Sequence, residues 1–187
     1  MKRLAFFLFV ILFASTASSM DKQTALEKGR VAARALNDIL RAKLSEALTS
    51  TGPAGAMSVC SSQAQALTAE VRENQGVEVR RTTLKLRNPK NAPDPYEQEL
   101  LERLDAKAAE GSLPDEVFEP RREDGRRVYR YAKPLTIAPP CLSCHGLKEE
   151  IPADVRGRLE EQYPEDRVTG YRPGDFRGIV SVIIPAE

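Results

Sequence analysis

The chain is 187 residues long and nearly neutral, with 28 Lys and Arg against 27 Asp and Glu. A hydrophobic fraction of 41% gives room for one folded domain with its own core and no bias toward disorder. A net charge of +1 supplies no global basic field for nucleic acid, and without Trp and with 6% aromatics there is no material for a flat stacking platform.

Met1 to Ser19 reads as a secretory signal peptide. Lys2 and Arg3 open it, Leu4 to Ala14 is a short apolar run, and small residues follow, with Ala17 or Ser19 as the last residue before cleavage. The run falls short of the roughly 20 residues that cross a bilayer, and no second stretch of spanning length follows. The expected organisation is a signal peptide over 1–19 and one domain over 20–187, exported to the periplasm as a soluble product. Export bears on the three cysteines, because an odd number in an oxidising compartment leaves one without a disulfide partner.

Asp21 to about Thr49 carries helical periodicity through Leu26, Val31, Ala33, Leu36, Leu40, Leu44 and Leu48. Thr51-Gly52-Pro53 is expected to end it. A helix of this length offers a face for pairing with a second copy. A second helix is predicted from Pro53 or Gly55 to Asn74, closed by Gly76, with Met57, Cys60, Ala64, Leu67 and Val71 on one face. Val77 to Leu86 alternates as a strand does. Arg80, Arg81, Lys85 and Arg87 give it a basic edge suited to carboxylates. Residues 88–93 read as a loop, and Asp94 or Pro95 starts a helix to about Glu110. Gly111 to Pro120 reads as a connection. Asp124-Gly125 signals a tight turn into a strand over 128–132, which Leu135 to Pro140 extends. Asp154 to Gln162 reads as a short helix, Tyr163 to Asp175 as a long polar loop, and Phe176 to Ile184 as a strongly β-prone last strand. Helices first and strands later predict an α+β domain on a small antiparallel sheet.

The pentapeptide Cys141-Leu142-Ser143-Cys144-His145 is the attachment signature of c-type haem. Two thiols form thioethers with the haem vinyl groups, and the adjacent histidine becomes the proximal ligand of the iron. Pro139-Pro140 holds the chain extended before it, and Gly146 lets the backbone pass close after it. His145 is the only histidine, so the opposite ligand is another residue type or absent. Cys60 and Met57, one helical turn apart, are the candidates, and Arg80, Arg81, Lys85 and Arg87 are the candidate propionate contacts. A thioredoxin-like disulfide motif would want the first thiol at a strand-to-helix junction. A zinc site from Cys60, Cys141, Cys144 and His145 would use adjacent ligands, which distorts the usual spacing.

Four ordered stretches carry a family resemblance: 57–60 with its downstream helix, 81–93, 141–146 and 170–178. Together they resemble the Tll-type c-type haem proteins, a PAS-like haem-binding family that also occurs as the sensory region of membrane kinases and cyclases. The resemblance spans most of the residues after 20. It implies a PAS-like antiparallel sheet with long N-terminal helices, and one covalently attached haem c with His145 proximal and Cys60 distal. The expected function is a periplasmic haem-based redox or gas sensor with a partner protein not yet identified. The alternative is a plain low-potential electron carrier. A peroxidase-like enzyme is disfavoured by the lack of a second histidine, and a disulfide oxidoreductase by the use of both motif thiols.

Overall fold

The computed structural model describes residues 20–186; the expected signal peptide lies outside them. Asp21 caps the first helix, its carboxylate accepting from the N–H groups of Gln23 and Thr24. Helix α1 runs Lys22–Ser58. It does not end at Gly52-Pro53 as the sequence suggests. Gly52 takes φ 69° and ψ −179°, a conformation open almost only to glycine, and the helix re-forms at once beyond it. Pro53 then sits in the first turn of the resumed helix, where its missing N–H costs nothing. A π-helical turn over Val59–Gln63 follows, and α2 continues over Ala64–Gln75 to a left-handed Gly76 cap. What reads as two helices is therefore one helical path with two irregularities, Gly52 and the π-turn.

Strand β1 covers Glu78–Thr82, shorter than the alternation over 77–86 suggests. A 3₁₀ turn at Pro89–Asn91 leads to α3, Pro95–Ala109, which opens with a capping box between Asp94 and Glu97. Strand β2, Val117–Glu123, occupies part of what the sequence reads as a connection. Pro120 and the charged residues hide it from pattern reading. They are tolerated because β2 lies at the sheet edge, where a missing N–H and a polar outer face cost little. Asp124-Gly125 makes the expected hairpin turn with both residues at positive φ. Strand β3 runs Arg126–Thr136 and β4 Phe176–Pro185, giving an antiparallel sheet in the order β1-β4-β3-β2. The α+β architecture with long N-terminal helices on an antiparallel sheet is the expected one.

Helices cover both sheet faces. Ala32, Ala33, Leu36 and Leu40 of α1, with Ala64 and Val71 of α2, pack against Val79, Tyr131, Val180, Val182 and Ile184. On the other face Leu100, Leu101 and Leu104 of α3 pack against Ala132 and Ile179. The pleat turns Arg80 to the α3 face and Arg81 to the α1 and α2 face. No described helix is long and apolar enough to cross a membrane.

Gly178 is where β4 passes closest to the end of β1. Its φ is 146°, and an added Cβ would stand 2.5 Å from the Thr82 carbonyl oxygen, which is backbone and cannot step aside. Gly178→Ala is expected to lower unfolding free energy by about 3 kcal/mol or more, read from the urea midpoint; a loss under about 1 kcal/mol would refute this account of the contact.

Candidate functional site

The segment that follows β3 turns through a 3₁₀ turn at Pro139–Cys141 into α4, the single turn Leu142–His145. Two small apolar clusters hold this turn from opposite sides. Cys141 and Leu142 pack against Ile137, Val168 and Tyr171. Cys144 packs against Met57, Ile151, Val155 and Leu159, the last two from α5, Ala153–Gln162. Cys141, Cys144 and Cys60 are all free thiols and half-buried. Among the described residues no three His, Cys, Asp or Glu side chains gather closely enough to hold a metal ion, so Cys60, Cys141, Cys144 and His145 do not form a tetrahedral zinc cluster.

The polar stretch 163–175 proves to be the strap that positions His145. Gly170 N–H donates to the Gly146 carbonyl at 2.7 Å and Tyr171 N–H to the His145 carbonyl at 3.0 Å. Val168, fully buried, places its carbonyl 2.9 Å from His145 Nδ1. A carbonyl only accepts, so Nδ1 carries the proton and the lone pair is left on Nε2. Burial first, and then the charges of Arg87 and Arg177, push the His145 pKa down to about 3, against the pull of the Val168 carbonyl. The imidazole is thus neutral and locked in one tautomer, the state in which histidine ligates a metal.

Arg87 ties this assembly together. Its guanidinium pairs with Asp166 at 2.9 Å and donates to the Cys144 carbonyl at 2.7 Å and more weakly to the Val168 carbonyl at 3.4 Å. Asp166 in turn accepts from Val168 N–H at 3.0 Å. Arg177, on β4, donates to the Thr83 hydroxyl and lies over the Tyr171 ring, whose edge faces His145. Arg177, Asp166, Val168 and Tyr171 are the site residues that sequence reasoning missed as such. The available signal was Val168 and Tyr171, two large apolar residues inside an otherwise polar loop.

The structure separates the four basic residues of the β1 region. Arg80 is turned to the α3 N-terminus, where it pairs with the buried Glu97 at 2.7 Å and donates to the Ala92 carbonyl. Arg87 is committed to Asp166. Lys85 is exposed and lies over the Tyr171 ring. Arg81 faces the site: burial lowers its pKa, and a neighbouring Cys60 thiolate counters that.

Cys60 and Met57 do not share one buried stripe. Cys60 lies in the π-turn and Met57 on α1, buried beside Cys144. Ala64, Leu67 and Val71 belong to the sheet-facing core. The extra residue of the π-turn rotates everything after it, which a period of 3.6 cannot reveal; such turns recur at functional sites. Cys60 bears on both sides of the site. The Cys144 thiol is pushed up chiefly by burial, which Arg87 opposes and Cys60 and Cys141 reinforce. Tyr163, bonded to Ser61, is pushed up by burial and then by Cys60. A raised thiol pKa is the opposite of what thiol exchange needs.

Known proteins resemble this chain in sequence and fold. The family model described as Tll0287-like matches residues 18–185. The crystal structure of the cyanobacterial heme-protein Tll0287 aligns with a TM-score of 0.65 at 28% identity, covering 87% of this chain and 95% of that one. Comparison with curated proteins finds no match. A match across nearly the whole described chain places it plainly: the chain belongs to the Tll0287-like family.

Proposed function

We propose that the chain is a haem-binding, cytochrome-like protein of the periplasm. One haem c is held by thioethers to Cys141 and Cys144, with His145 as proximal ligand and Cys60 opposite. The protein acts as a redox-responsive sensor and not as an enzyme. The observation that carries this reading is the neutral, half-buried imidazole of His145. Its Nδ1 is tied to a backbone carbonyl, which frees Nε2 on the same helical turn as two free thiols.

The residues present fit the group. Arg81 and Arg177 have no ion pair with a carboxylate among the described residues, which suits them to the two propionates better than Arg80 or Arg87, each already paired. When bound, the haem supplies a one-electron ferric–ferrous couple. The Val168 strap fixes the orientation of the imidazole, and the two apolar clusters pack against the motif turn from opposite sides. Cys60 would be offered to the iron from a π-turn, a backbone irregularity that recurs at functional sites. Met57, buried nearby, is the alternative ligand. A ligand set that stays unchanged on reduction would favour the electron-carrier reading.

The test is expression in a host competent in periplasmic haem maturation. The parent is expected to retain its haem through acidified-acetone extraction, and Cys141→Ser/Cys144→Ser to lose it. A parent with no covalent haem sinks the proposal.

A further inference from the structure

Between α2 and β1 lies a cleft of about 70 Å³, far below the size of a drug-like pocket and suited to a small ion. Arg72, Arg80, Arg81 and Lys90 contribute to its walls, with Thr68 and Asn91 among the polar groups, and no carboxylate lines it. Two of the four cations have their charge met elsewhere: Arg72 pairs with Glu78 at 2.9 Å and Arg80 with Glu97 at 2.7 Å. Arg81 and Lys90 have no carboxylate partner among the described residues.

The register of the sheet makes this imbalance expensive. Arg81 stands opposite Val180, on the face that α1 and α2 cover, so its side chain is half-buried beneath the helices. A half-buried cation without a counter-charge favours an anion beside it. A compact anion with several oxygens answers this, because it supplies negative charge and more than one acceptor at a single place.

We propose that this cleft binds one small oxyanion or carboxylate, gripped by Arg81 and Lys90. The same chemistry is offered by a free phosphate-type anion and by a propionate of the haem; only the second source rests on the function proposed above.

Inorganic phosphate titrated into the full chain by calorimetry, at ionic strength held constant with sodium chloride, is the first readout. Saturable one-to-one binding is expected, weakened about tenfold or more in Lys90→Gln and abolished in Arg81→Gln. Lys90 is exposed in a turn, so its variant keeps the test valid if Arg81→Gln fails to fold. If the haem-loaded chain ignores phosphate but its propionate bending bands in resonance Raman move in Lys90→Gln, the carboxylate is the haem's own and the cleft is still its seat. If neither response is seen, the proposal is overturned. A parent that emerges from the maturation-competent host without haem, yet binds phosphate with the same Lys90 dependence, would sink the haem reading and leave the cleft standing.

Discussion

Arg87→Ala is expected to cost about 3–5 kcal/mol of unfolding free energy, the range seen when one member of a buried ion pair is removed. The pair is enclosed, with the Arg87 side chain 9% and the Asp166 side chain 10% exposed. Truncation leaves Asp166 charged with no cation beside it, removes the side-chain donor of the Cys144 carbonyl, and leaves the Val168 carbonyl to His145 alone. The measurement is a urea titration of parent and variant with the slope checked for constancy. Arg87→Ala/Asp166→Asn is expected to recover part of the loss, because the stranded charge goes with it. A single-variant cost under about 1 kcal/mol would show that the pair is solvated and that the strap does not depend on it. The same variant is expected to lower the yield of haem-loaded protein, since Arg87 joins the Cys144 turn to the carbonyl that orients His145.

The second large effect concerns Cys60. A thiolate opposite a histidine stabilises ferric over ferrous iron, and axial ligation moves haem potentials across about 0.8 V. Cys60→Ala is therefore expected to lose the thiolate signature of the ferric spectrum and to raise the midpoint potential by on the order of 0.1 V or more. Spectroelectrochemistry on the haem-loaded parent and variant reads both. An unchanged spectrum and potential would remove Cys60 from the site and leave it as a helix residue. Met57→Leu separates the two candidates. Met57 packs with Ile151, Val155, Leu159 and Cys144, and leucine conserves that packing, so a change on reduction alone would mark Met57 as the ligand taken up there.

The sequence made much of this legible, for reasons of short range. The Gly76 stop, the helix start at Asp94 or Pro95 and the Asp124-Gly125 turn are each written within a few residues, and each appears where the pattern puts it. The haem-attachment pentapeptide is equally local. Patterns fail where a neighbour supplies the missing term. Pro120 and the charged run of β2 contradict strand propensity in isolation, but pairing along β3 at an exposed edge outweighs it. Gly52-Pro53 reads as a stop, but packing of the following turn against α5 and Cys144 makes it a kink instead.

The basic residues after β1 divide in the same way. Sequence alone places Arg80, Arg81, Lys85 and Arg87 on one basic segment and can say only that they suit carboxylates. The sheet register sends Arg80 and Arg81 to opposite faces, and contacts 17 and 79 residues away along the chain then occupy Arg80 and Arg87. By itself, then, the sequence determined the α+β class and singled out the motif from Cys141 to His145. It also determined the family resemblance that implied an upstream cysteine ligand. Only the tertiary structure decided which carbonyl sets the tautomer of His145, which arginines remain free for an anion, and that Cys60 sits on a π-turn. Those depend on charges and hydrogen bonds closed across long loops, and no local pattern encodes where such loops meet.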